Sequence, residues 1–181
     1  LWTIGIKSKN AFSINIIFKK FILPNGAKLF VYNLEHNYTL GAFDCENNNE
    51  VSFAIAPIKG EIIFVELFEP DTIKFQSQAV IGIVNHDFLN VFKLMDGYYG
   101  ESGECNRNIN CSEGDNWQNE KQSVCRMIIY GSTLCTGALI NNYSNDGFPY
   151  FLTANHCYSD YGNYQLAVNN TVFYFNYESP N

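Results

Sequence analysis

The chain has 181 residues, 46% of them hydrophobic and 16% aromatic, with a formal net charge of −7. That composition is globular, long enough for one or two domains with a real core, and it excludes a disordered chain. Acidity without any basic cluster excludes a nucleic-acid-binding surface, and no apolar run approaches the length of a membrane span.

Residues 1–96 carry eight lysines against ten acids and read as strands. Ala11–Leu23 is rich in Ile and Phe, Pro24-Asn25-Gly26 turns the chain, and Ala27–Asn33 follows with Leu29, Val31 and Tyr32. Pro-Asn-Gly between two β-prone runs marks a hairpin. Thr39–Phe43 and Val51–Ile58 flank a polar loop over Glu46–Glu50. Lys59-Gly60 then turns into Glu61–Phe68, closed by Glu69-Pro70, and Ala79–Val84 is a further β-branched run. Short strands with turns at this spacing predict an antiparallel β-sandwich. Residues 94–104 are polar and glycine-rich and read as a linker, dividing the chain into 1–96 and 97–181.

Residues 97–181 carry three basic residues against eight acids, and five of the six cysteines: Cys105, Cys111, Cys125, Cys135 and Cys157, with Cys45 outside. Such crowding suits a disulfide framework in an oxidising compartment. Zinc is the rival reading, but it needs paired Cys-x-x-Cys or His spacings, and His36, His86 and His156 lie far apart. No metal and no cofactor is expected. Beyond the linker, Gly114–Glu120 is a polar loop around Trp117, Ser123–Tyr130 and Thr133–Ile140 are strands about a Gly131-Ser132 turn, and Asn141–Gly147 is a loop. Pro149–Thr153 is the next strand, leading to His156. Ser159–Asn163 is a loop, and Leu166–Tyr177 reads as a long β-run interrupted at Asn169-Asn170. The chain begins with Leu1 and ends inside a strand-like run, so it reads as a fragment, and the missing leader says nothing of location.

Two segments carry a resemblance. Leu134-Cys135-Thr136-Gly137-Ala138-Leu139-Ile140 and Thr153-Ala154-Asn155-His156-Cys157 are similar to the histidine region of chymotrypsin-like serine proteases. Asn155, where that family usually has a small residue, resembles the lysyl-endopeptidase branch, a bacterial secreted group. So do the two cysteines six apart in Ser102–Gly114, the loop Asn141–Gly147 and the run Val172–Tyr177. More loosely, Leu23–Asn33, Gly41-Ala42-Phe43 and Asn47-Asn48 resemble the region preceding the protease in some secreted bacterial enzymes.

The resemblance implies an all-β chain: a propeptide-like β-sandwich over 1–96, then over 97–181 the truncated first barrel of a trypsin-like double-barrel protease. It implies a Cys135–Cys157 disulfide, with Cys105 and Cys111 bonded to cysteines outside this stretch. It makes His156 the catalytic base of a Ser-His-Asp triad acting on a protein or peptide substrate. A histidine suits that task because its pKa lies near working pH, so it takes the serine proton and returns it to the leaving amine.

Gly100-Glu101-Ser102-Gly103 resembles the surroundings of a catalytic serine, yet the chymotrypsin order is His, Asp, Ser, so Ser102 reads as a linker residue. Asp160 lies too close behind His156 for the family's aspartate and reads as a loop acid. Ser159 and Ser179, the serines beyond His156, lie in no Gly-x-Ser-Gly turn, so this stretch alone is expected to be inactive. The alternative is a non-catalytic secreted β-protein, an adhesin or a protease-like binding domain. Lysine specificity follows from the resemblance alone.

Overall fold

The computed structural model describes residues 1–92 and 105–178. The linker expected over 94–104, Ser102 within it, and Ser179 lie outside those residues. The fold is all-β apart from short helical turns, and every strand pairing among the described residues is antiparallel.

Among the described residues eight strands build the N-terminal half: β1 (Trp2–Lys7), β2 (Ser13–Ile22), β3 (Lys28–Asn33), β4 (Thr39–Phe43), β5 (Phe53–Ala54), β6 (Ile58–Lys59), β7 (Ile62–Phe68) and β8 (Gln78–Asp87). One sheet runs β1-β7-β3-β4; the other is centred on β2, with β8 along one side and the short β5 and β6 along the other. Between them lies a core that draws Leu29 and Val31 from β3, Ile63 and Val65 from β7, and Ile14, Ile16, Phe18 and Phe21 from β2. Strand side chains alternate faces, so 14, 16 and 18 share a face that 21 should not. Bulges resolve this: the register to β8 slips on both sides of Phe18, leaving Gly82 unpaired on β8 before it and Lys19 unpaired on β2 after it, and the inward parity of β2 changes. A Cβ on Gly82 would meet the Cβ of Lys19 at 2.9 Å.

The C-terminal half has one open sheet, β11-β10-β9-β12, from β9 (Val124–Ile129), β10 (Thr133–Ile140), β11 (Tyr150–Thr153) and β12 (Thr171–Phe175). One face carries a second core of Cys125, Met127, Ile129, Cys157, Tyr158 and Ala167. The described strands form a sheet and not a closed barrel.

Four local expectations need correction. Pro24-Asn25-Gly26 does not close a hairpin: β2 and β3 belong to different sheets, and the turn carries the chain from one to the other. Leu166–Tyr177 is not one β-run: Tyr164–Asn169 is helix α1, begun by Asn163, whose Oδ1 accepts from the Leu166 N–H at 2.9 Å, and only then does β12 start. Val51–Ile58 is not one strand but the separate β5 and β6, with Pro57 between them, a residue that offers no N–H to a ladder. Trp2–Lys7, passed over in the sequence, pairs along its whole length with β7.

Candidate functional site

The site is built from the β10–β11 pair upward. Gly137 lies opposite Thr153, and a Cβ on Gly137 would meet the Phe151 ring at 2.3 Å and the Leu152 carbonyl at 2.7 Å. Glycine is therefore required for the two strands to close with Phe151 folded across them. The Thr153 hydroxyl donates to the Thr136 carbonyl at 2.8 Å and lies 3.6 Å from Cys157 Sγ.

Past Thr153 the backbone makes a single tight turn over Asn155–Cys157, with Cys157 N–H donating to Ala154 O and Tyr158 N–H to Asn155 O. Cys157 turns inward and is bonded to Cys135 on β10, their Cα atoms 6.1 Å apart. Its neighbour His156 turns outward and is exposed. A buried half-cystine and an exposed histidine on adjacent residues are the direct result of that turn. A ring nitrogen of His156 and the two sulfurs lie within 4.8 Å of one another. Oxidised sulfurs offer no thiolate, so this trio suits a stapled turn and not a metal centre.

The residues following His156 are fixed too. Buried Tyr158 shares a 3.0 Å hydrogen bond with the Thr171 hydroxyl, and Tyr161 stacks on Tyr130 with centroids 5.3 Å apart while its hydroxyl donates to Thr133 at 2.7 Å. These tyrosines hold the far side of the turn as the disulfide holds the near side. The sequence reading missed them; tyrosines spaced through Cys157-Tyr158-Ser159-Asp160-Tyr161 were the available signal.

Among the described residues the His156 ring has no hydrogen-bond partner. Asp160 is exposed and accepts from its neighbour Ser159 at 3.2 Å. Ser159 Oγ reaches that carboxylate and the His156 carbonyl, not the imidazole. His36 and His86 are surface residues in the other half, His36 stacked on Tyr32 and His86 bonded to Ser8. Cys105 and Cys111 are exposed and not bonded to each other; Cys45 is a half-buried thiol and Cys125 a buried one, its pKa raised by that burial. A cavity of about 560 Å³ lies beside β9, lined by Trp117, Lys121, Arg126 and Tyr177, and His156 does not line it. No helix among the described residues is long and apolar enough to cross a membrane.

The family described as "Lysyl endopeptidase, C-terminal domain" matches residues 99–181. The matched stretch contains the stapled turn, both half-cystines and all of the open sheet, and it relates this part of the chain to the lysyl-endopeptidase-like proteases. No solved structure matches the chain.

Proposed function

We propose that residues 97–181 are the histidine-bearing part of a trypsin-like serine endopeptidase domain, and that His156 is its general base and acid. The observation that carries this is a coincidence of position. The lysyl-endopeptidase match falls on the segment in which a disulfide, a tight turn and two tyrosines hold one exposed histidine. A catalytic base needs its ring accessible and its backbone immobile, because a small misplacement of a reacting group costs much rate. In this reading a serine outside the stretch gives its proton to His156, attacks the peptide carbonyl, and the imidazolium returns the proton to the departing amine. An aspartate, placed by the resemblance after His156 in the chain, fixes the tautomer. Cys105 and Cys111, both exposed, bond to further cysteines. Residues 1–96 are a propeptide-like domain of a secreted bacterial precursor, and its substrate is protein or peptide.

The test uses the complete reading frame. A serine-directed fluorophosphonate probe labels the full-length protein, and His156→Ala abolishes that labelling and lowers peptidase rate on the order of 10⁴–10⁶-fold. Full activity in the variant, or neither labelling nor hydrolysis in the unaltered full-length protein, would overturn the proposal; the second result favours the non-catalytic β-protein.

A further inference from the structure

The outer face of β2 carries Ser13 and Asn15, polar residues that strand alternation assigns to water. Both are buried, Asn15 to 3% exposure. Ser13 donates to Asp87 on β8 of its own half, whereas the cover over Asn15 is the C-terminal half. Asn15 and Asn85 are cross-strand partners on β2 and β8. Asn85 Nδ2 donates one hydrogen to Asn15 Oδ1 at 2.7 Å and the other to the Tyr130 carbonyl at 3.0 Å, while Asn15 Nδ2 donates to the Ile55 carbonyl. The next residue, Gly131, lies so close that a Cβ there would sit 2.5 Å from both Asn15 Oδ1 and Asn85 Nδ2.

A second contact meets the same corner from the other side. Ser52, buried, donates to Asn170 Oδ1, also buried, and the Asn170 carbonyl accepts the Tyr130 N–H at 2.9 Å. Tyr130 is thus gripped at both backbone groups, at one by the N-terminal half and at the other by a residue which that half itself holds. Tyr38 lies against Tyr174 on β12, whose phenol is pushed up in pKa by burial first and by Tyr38 second. The hydrogen bonds across this boundary come from carboxamides, a hydroxyl and a backbone carbonyl. Carboxamides and a hydroxyl remain well solvated when uncovered, which suits a surface that exists both covered and bare.

We propose that residues 1–92 are a non-covalent binding partner of residues 105–178, seated on the Tyr130–Gly131 corner and remaining bound when the segment joining them is cut. The seat leaves His156 exposed, so the N-terminal half clasps the sheet without plugging the histidine. This holds whether or not His156 is catalytic.

The test places a site-specific protease recognition sequence between Phe92 and Cys105 in the full chain. After complete cutting, verified on a denaturing gel, the two pieces are run on a sizing column at micromolar concentration under native conditions. The pieces of the otherwise unaltered chain co-elute. Asn85→Ala and Ser52→Ala, which remove donors and leave both cores intact, each weaken the association at least tenfold, and Gly131→Ala separates the pieces. Separation of the unaltered pieces would overturn the proposal. Co-elution as firm in all three variants as in the parent would overturn the assignment of the seat to this corner.

Discussion

Removal of the Cys135–Cys157 bond by the double substitution Cys135→Ala, Cys157→Ala tests how the turn bearing His156 is held. The bonded residues are 22 apart in sequence, and a cross-link closing a loop of that size removes about 11 cal/mol/K of unfolded-chain entropy, about 3.4 kcal/mol at 25 °C. The other four cysteines form no bridge with one another among the described residues, so no second bridge within them masks the loss. The chain has two separate cores, so a global unfolding midpoint would blur the effect. Amide hydrogen exchange read by mass spectrometry localises it. Peptides from β10, which is bonded on one side to β9 and on the other to β11, should exchange on the order of 10²-fold faster in the variant. Peptides from β2 and β3, in the separate core of the N-terminal half, should change little. Mild reduction of the unaltered chain should reproduce the pattern. A β10 acceleration of less than about fivefold would refute the claim that this bond is what stiffens the turn.

Gly137→Ala forces a methyl into the Phe151 ring and the Leu152 carbonyl; urea unfolding of the C-terminal half should show a loss of about 1–3 kcal/mol, the usual cost of overpacking. Burial raises the Cys125 pKa, so the folded state favours the neutral thiol; that advantage is full below the ordinary thiol range and is lost as pH rises through the folded value. Stability of the C-terminal half should therefore fall more steeply on the alkaline side in the parent than in Cys125→Ala, and a thiol reagent should reach half-buried Cys45 in the native chain but buried Cys125 only after unfolding.

What was legible in the sequence was local. The Pro24-Asn25-Gly26 turn and the alternation of Leu29 and Val31 marked β2, β3 and the break between them, because turn chemistry and side-chain parity are written in neighbouring residues, but the hairpin pairing did not follow: the two strands lie in different sheets. The stapled turn was legible for the same reason: Thr153, His156 and Cys157 span five residues, and Cys135 and Gly137 mark their partner strand. The sequence reading failed where one residue changed the period. Asn163 capped a helix inside an apparent β-run, and Pro57 split a strand. It failed also where the partner was remote. Asn15 and Asn85 meet Tyr130, and Ser52 meets Asn170 across 118 positions, through single polar contacts that leave no pattern in the chain.

The open sheet bears on the proposed function through its edges. β11 and β12 are the outer strands of the described sheet, and both expose large apolar side chains: Tyr150 and Leu152 on one, Phe173 and Phe175 on the other. Natural proteins blunt an uncovered edge with charges, proline or bulges, since unpaired N–H and C=O groups beside apolar side chains invite aggregation. Neither strand carries any of these devices. Such edges suit further strands pairing onto β11 and β12, which is what a barrel requires of a sheet of this order. The turn with His156 begins two residues after β11 ends. A strand added along β11 would therefore pass within a few residues of the turn that carries His156.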